Sequence, residues 1–382
     1  LFIVYNTDLI KQGYESIGKV IGFDGLYILS KGSDIMELNY DKINGLFLTH
    51  SMLDSICKTY GIEEISEIFA NKIGLRMKII DEVDRNVSTT YKLEVYFTFK
   101  YNLYLTGTPY RNLQTDNRVF QLIYKKVAHM GDDIEVPPNK NVYFIRGKMN
   151  PTRREFLKIR GWNESMFKIE YNNIFARKDI FLDFIMDKMY NKEDSLFKKL
   201  LDEDGRIVFF VGRIENCEIV AKKLTERFGI NEDDIGIVNS SKSVKENEVN
   251  KNKKFIVSTT QKIGRGYDDK KIRALVLLEF TFARSEIIQT LSRVGRVGGD
   301  LGHVVYPIDM SFSQTINTFN KRKNENLFRD NFIHQYGTEI PHEYTSNYIN
   351  GYRKDSPEAL NIQKEEKAKK KGGNIYKIFK GR

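Results

Sequence analysis

Short runs rich in Ile, Leu, Val and Phe recur along this chain at 45–49, 77–80, 102–105, 207–211, 255–258, 274–278 and 303–306. Their residues are apolar on both faces of an extended strand, a pattern that belongs to sheets covered on both sides rather than half-open to water. Many runs are followed by a polar or glycine-containing turn and then by helical spacing, as at 215–228 and 285–291. That βα rhythm restricts the chain to an α/β architecture with parallel sheets. Ligands in such folds gather at the carboxyl ends of the strands, so the polar residues directly after each run are the first place to look for chemistry.

With 382 residues, 41% hydrophobic and 29% charged, the chain can bury the cores of two ordinary domains. It contains no apolar run long enough to span a bilayer, so no membrane partner is expected. Cys57 and Cys217 stand far apart without any CxxC, which excludes a zinc framework or disulfide scaffold and fits a reducing, cytoplasmic setting. The net charge of +10 favours a polyanionic partner. Part of that excess lies in residues 364–382, where eight basic residues face only Glu365 and Glu366 in what reads as a solvated tail able to strengthen phosphate binding without sequence choice.

The rhythm breaks after about 136, where Pro137-Pro138 and scattered charges read as a connector. The expected organisation is a first lobe over 1–174, a second over 175–325, and a C-terminal extension over 326–382 with the basic tail. Trp162, Phe167 and Tyr171 in the connector suit either stacking on bases or packing, with packing the favoured reading. The chain opens directly in the strand-like run Leu1-Phe2-Ile3-Val4, which suggests a first lobe shortened at its N-terminus.

Several strand ends carry chemistry. Met77–Ile80 runs into Asp81-Glu82-Val83-Asp84, where Asp81 is suited to Mg²⁺ and Glu82 to polarising an attacking water as general base. Thr106-Gly107-Thr108-Pro109 ends the next run with two hydroxyls able to report on the acidic motif. In the second half, Ser258 and Thr259 can donate to a nucleic-acid phosphate. The glycines of Gly264-Arg265-Gly266 permit close approach to a ligand, and Asp268 suits a ribose hydroxyl or the orientation of an arginine. Gln289 precedes Arg293 and Arg296, whose spacing places both guanidinium groups on one face of a helix, ready to grip phosphate.

In this order the motifs resemble those of the superfamily 2 helicases. Asp81–Asp84 is similar to motif II, Thr106–Pro109 to motif III, 207–212 to motif IV, 258–268 to motif V and 289–296 to motif VI; Val4–Leu9 and Phe47–His50 are similar to motifs Ia and Ib. The resemblance covers about four-fifths of the chain and implies two RecA-like lobes with ATP and Mg²⁺ as cofactors. It implies that Glu82, Arg293 and Arg296 are catalytic and that Asp81, Asp84, Gly264, Asp268 and Gln289 serve the nucleotide, Asp84 touching Gln289. Thr106 and Thr108 would couple the sites, while Thr7, Thr49, Gly212, Ser258 and Thr259 would lie along nucleic acid. The family's phosphate loop, GxxxxGK[ST], does not occur; Gly18-Lys19 lacks its spacing and reads as a surface turn. The T-x-T-P form is most similar to DNA-directed members such as phage-type branch-migration helicases and restriction-subunit translocases, which implies a motor on branched DNA. An RNA-directed helicase and a non-hydrolysing nucleic-acid-binding scaffold stand as alternatives.

Overall fold

The computed structural model describes residues 1–4, 7–81, 83, 87–106, 118, 138–160, 163–260, 262–263, 269–295 and 300–379. Contacts divide the chain into two units, Leu1–Ile134 and Glu135–Arg382.

The first unit runs β1 (Phe2–Val4), α1 (Thr7–Ile21), β2 (Leu26–Ile28), β3 (Gly45–Thr49), α2 (His50–Tyr60), α3 (Ile62–Glu67), β4 (Met77–Asp81), α4 (Val87–Tyr96) and β5 (Tyr101–Leu105). Its sheet has the order β2-β3-β1-β4-β5, and every pairing is parallel. Ile3, Val4, Leu46 and Leu48 are fully buried, as residues of central parallel strands must be when helices cover both faces. Helix α2 starts where Thr49 Oγ1 accepts from the Met52 amide at 3.1 Å. Lys78 points into the interior of this unit. It is fully buried, its Nζ lies 2.8 Å from Glu94 of α4, and the Tyr104 hydroxyl donates to the same carboxylate at 2.9 Å. That ion pair fastens the helix that follows the acidic motif to the sheet beneath it.

The second unit contains β6 (Lys140–Gly147), α5 (Arg153–Ile159), α6 (Glu164–Phe175), α7 (Ile180–Met189), α8 (Leu196–Asp202), β7 (Arg206–Val211), α9 (Ile214–Phe228), β8 (Ile235–Val238), α10 (Val244–Asn250), β9 (Phe255–Ser258), β10 (Ile272–Leu278), α11 (Arg284–Leu291) and β11 (Gly302–Asp309). It continues through α12 (Ser313–Asn324), α13 (Leu327–Asn331), β12 (His334–Glu339), α14 (His342–Thr345), β13 (Tyr348–Ile349), β14 (Tyr352–Arg353) and α15 (Pro357–Phe379). Its seven-stranded sheet has the order β12-β6-β11-β10-β7-β9-β8, again parallel throughout. One face packs Phe209, Phe255 and Val276 under α7 and α9. The other packs Phe210, Ile256 and Leu275 under α11, α12 and α13.

Two boundaries differ from the sequence expectation. The division falls at 134/135 rather than at 174/175, because β6 is a strand of the second sheet, paired with both β11 and β12. Phe167 and Tyr171 behind it are each 2% exposed and pack on Phe280 and Phe312, as packing residues should. Residues 326–382 are not simply appended, since β12 is an edge strand of the sheet and the β13–β14 hairpin closes over α7. The hairpin turn uses Asn350 and Gly351 at φ 50° and 77°, and a Cβ on Gly351 would come within 2.4 Å of the Met149 carbonyl oxygen. The Gly351 carbonyl accepts from the amides of Asp179 and Ile180 at 2.8 and 3.2 Å.

Charged side chains hold this hairpin down. Lys178, buried to 1%, donates to Glu155 and to the Asn350 carbonyl, both at 2.7 Å, and lies 3.8 Å from the centre of the Tyr352 ring. Asp179 sits between Lys223 and Arg227 of α9, each 2.8 Å away, and its carboxylate accepts from the Arg353 amide at 2.9 Å. Among the described residues no helix is long and apolar enough to cross a membrane.

Candidate functional site

In the first unit the strand ends bring Thr49 and Asp81 to the same edge of the sheet, since β3 and β4 both flank β1 in parallel. Asp81 is the last residue of β4 and half-buried. Thr106 directly follows β5, the partner of β4. Thr7 opens α1 and is exposed, while Thr49 is 6% exposed with its hydroxyl engaged at the helix cap and 3.0 Å from Ser51 Oγ. Thr49 thus has a complete structural role without any ligand. His50 next to it was given no role by the sequence reading. It is buried to 2%, and burial lowers its pKa, with the Asp81 backbone and the Asp54 carboxylate pulling the other way. Glu82, Asp84 and Thr108 lie outside the described residues.

In the second unit, β7, β9 and β10 are neighbours and end side by side. Gly212 follows β7, Ser258 ends β9 with Thr259 beyond it, and the chain leaving β10 leads through Glu279 and Phe280 into α11, which carries Gln289. Topology therefore gathers Gly212 and Thr259 at the carboxyl edge of one sheet, where an α/β fold places its ligands. Helix α11 carries Gln289 away from that edge, and Arg293 lies two residues before Gly295, which stands against Asn139 and Gly302 at the amino ends of β6 and β11. Gln289 is 9% exposed, Arg293 is half-buried, and Thr259 is partly exposed. Gly264, Asp268 and Arg296 lie outside the described residues.

Three sequence expectations change here. Ser258 is fully buried and its hydroxyl donates to the Val238 carbonyl at 2.5 Å, so it knits β9 to β8 rather than meeting a phosphate. Gly212 has a packing reason of its own, because a Cβ there would stand 2.5 Å from the Asn172 side chain. Arg293 does not extend the helix of Gln289. Helix α11 stops at Leu291, the Ser292 hydroxyl donates to the Gln289 carbonyl at 2.7 Å, and Gly295 adopts φ 59°. A left-handed glycine at this point ends the helical spacing on which the pairing of Arg293 with Arg296 was expected, and Arg296 itself lies outside the described residues.

Sequence reasoning missed two polar groups of this edge. Asn172, 2% exposed, holds Phe280 from both sides, donating to its carbonyl at 2.9 Å and accepting from its amide at 2.6 Å, while its own carbonyl accepts from Asn216 at 2.9 Å. It thereby joins α6, the end of β10 and α9. Glu279 accepts a hydrogen bond from the Thr260 hydroxyl, and burial pushes its carboxyl up to about 7, with Lys168 opposing and Glu286 adding to the shift. The only available signal was a lone carboxylate just after a strongly apolar run.

Residues 191–298 match the helicase conserved C-terminal domain. This segment of the second unit is similar to a helicase C-terminal domain. The match spans α8 to the turn after α11 and therefore includes Gly212, Thr259, Gln289 and Arg293. Among solved structures the chain is similar to S. cerevisiae Dbp5 bound to RNA and ADP BeF3, with a TM-score of 0.53 and 11% identity over 88% of this chain and 76% of that one. It is also similar to a fragment of an HsdR subunit of a type I restriction enzyme from Vibrio vulnificus, with a TM-score of 0.55 and 15% identity over 89% of this chain and 57% of that one. Mycobacterium smegmatis helicase Lhr bound to ssDNA and AMP-PNP gives a TM-score of 0.52 and 12% identity over 85% of this chain and 42% of that one. No curated protein matches by sequence. The fold is similar to that of the paired RecA-like lobes in these helicase structures.

Proposed function

We propose that this helicase-type protein couples ATP hydrolysis to movement on DNA, with branched DNA as the favoured substrate. The observation that carries the reading is that Gly212 and Thr259 share the carboxyl edge of one sheet inside the matched helicase domain, with α11 leading from the same edge to Gln289 and Arg293. In this reading Thr259 meets the nucleic-acid backbone, and Gln289 and Arg293 answer to the nucleotide. Asp81 is the described group that fits Mg²⁺, since that ion takes one or two carboxylates and keeps much of its water; when bound, it neutralises phosphate charge. Glu82 polarises the attacking water, Asp84 and Asp268 orient their neighbours, Thr106 and Thr108 relay the nucleotide state, and Arg296 joins Arg293 in stabilising transition-state charge. An arginine in that role is worth about 10³–10⁵ in rate.

DNA is preferred over RNA on the T-x-T-P form of 106–109 and the likeness to the HsdR fragment. The test is ATP hydrolysis by the full chain with no nucleic acid, forked DNA, duplex DNA and single-stranded RNA, beside Arg293→Ala. Stimulation highest with forked DNA and lost in the variant is the expected result. Equal or greater stimulation by RNA overturns the substrate, and a variant hydrolysing at the parental rate overturns the arginine's role. One observation favours a second reading: GxxxxGK[ST] is absent from these residues, so a protein that binds forked DNA and hydrolyses nothing is a scaffold on a helicase fold.

A further inference from the structure

We propose that Glu279 is a positioning residue that ties the Thr259–Thr260 end of β9 to helix α11, so that nucleic acid held at the strand end sets the placement of Gln289 and Arg293. This rests on the nucleic-acid reading above and names how its two parts communicate.

Glu279 follows β10, which lies between β11 and β7 in the middle of the sheet. A carboxyl group placed there gives up water and needs compensation, so its persistence calls for a partner. The first is Thr260, whose hydroxyl donates to Glu279 Oε1. On its other side lies a cavity of about 10 Å³ lined by Leu277, Thr281, Ile287, Thr290, Tyr306 and Arg322. That is room for about one water. Ile287 and Thr290 belong to α11, so Glu279 faces the helix that carries Gln289 and leads to Arg293 directly across this small space.

The far wall is itself tied to α11. The Thr281 hydroxyl donates to Glu286 in the helix's first turn, the Thr290 hydroxyl donates to the Glu286 carbonyl at 2.8 Å, and Lys168 of α6 pairs with Glu286 at 2.6 Å. Arg322 of α12 donates to the Thr281 carbonyl and the Tyr306 hydroxyl, and its buried Nε has no hydrogen-bond partner among the described residues. The groups around Glu279 are therefore Thr260 from the end of β9, Glu286 from α11, Lys168 from α6, Arg322 from α12 and Tyr306 from β11. A shift of Thr260 changes what Glu279 accepts, and the change reaches α11 through the side chains that line the shared cavity, Thr281 and Thr290 being bonded to Glu286 of that helix. Burial brings the carboxyl to about 7, so the proton it carries near neutrality decides whether Glu279 only accepts from Thr260 or can also donate.

The test uses the full chain with forked DNA, following ATP hydrolysis from pH 6 to 8.5 for the parent, Glu279→Ala and Glu279→Gln. The expected result is that Glu279→Ala keeps basal hydrolysis and DNA affinity but loses about tenfold of the DNA stimulation, within the usual range for coupling between sites. Glu279→Gln, which still accepts from Thr260, restores stimulation but removes the inflection near pH 7. Hydrogen exchange supplies a readout independent of hydrolysis: DNA slows exchange of the α11 amides in the parent and in Glu279→Gln, but not in Glu279→Ala. An alanine variant with parental stimulation and parental α11 protection overturns the proposal while leaving the function standing. A parent that binds DNA with no change in α11 exchange also overturns it. A parent that binds no nucleic acid overturns both.

Discussion

Replacing Asp179 by Ala probes how the second unit holds its C-terminal hairpin. Asp179 is 1% exposed, with Lys223 and Arg227 each 2.8 Å away and the Arg353 amide donating at 2.9 Å. Burial works against its charge, but Lys223 and Arg227 prevail and hold the carboxyl below its usual range. Removing one partner from a buried ionic group costs about 3–5 kcal/mol, because the remaining charge stays out of water uncompensated. Here the loss falls at the lower end, about 3 kcal/mol, since Lys223 still donates to the carbonyls of Ala176, Arg177 and Lys178 at 3.3, 2.6 and 3.2 Å and Arg227 keeps Asp183 at 3.1 Å. For a unit of this size that corresponds to a fall of roughly 6–12 °C in the melting temperature of the second unit's transition, measured by calorimetry on the full chain. Exchange of the Ile180 and Arg353 amides, bonded to Gly351 and Asp179, rises with it. Adding Lys223→Met recovers part of the loss by withdrawing the stranded ammonium. Because the folded carboxyl titrates below the unfolded one, this stability is present at neutral pH and disappears as pH falls through the lowered value. A drop under about 1 kcal/mol, the worth of a surface pair, with hairpin exchange unchanged would refute the reasoning.

Two further outcomes follow from packing. Gly212→Ala drives a methyl toward Asn172, 2.5 Å away, and disturbs both bonds to Phe280, so it lowers stability by roughly 1–3 kcal/mol in a urea titration even without nucleic acid; an unchanged midpoint would leave the phosphate contact as the glycine's only purpose. Glu94→Gln strands the fully buried Lys78 ammonium beside Phe99 and Tyr104, and lowers the stability of the first unit by about 2–3 kcal/mol, reduced from the usual figure because Glu94 is 22% exposed; double replacement with Lys78→Met should be milder than Glu94→Gln alone.

Much of the architecture could be read from runs of residues apolar on both faces. All seven runs, from 45–49 to 303–306, are strands; burial within a parallel sheet rewards the pattern in most of them, whereas β5 is an edge strand with Leu103 and Leu105 exposed. β6 was passed over although Val142, Phe144 and Ile145 are buried, because Lys140, Asn141 and Arg146 interrupt the run and Pro137-Pro138 precede it. β12 was not legible at all. His334–Glu339 is exposed throughout, and it is a strand only because β6 offers an unpaired edge, which is a tertiary fact. The candidate site divides similarly. The strand-end positions of Asp81, Gly212 and Thr259 follow from local pattern, whereas Asn172 and Glu279 matter through partners about a hundred and about twenty residues distant, as with Asn172 and Phe280. Ser258 misled because a hydroxyl at a strand end looks the same in sequence whether it turns outward or bonds a neighbouring strand.

The place of β6 bears on how the polypeptide comes into being. Asn141 is in register with His303 on one side and with His334 on the other, so its strand waits for neighbours that emerge far later from the ribosome. Among the described residues the strands of the first sheet, by contrast, all lie before residue 106. Closure of such distant pairs is slow and leaves apolar edges uncovered meanwhile. During synthesis the first sheet can therefore pair early, while the second stays vulnerable to aggregation until His334–Glu339 has emerged. A stop codon shortly before His334 would leave the outer edge of β6 bare, making that strand the point at which misassembly between nascent chains begins.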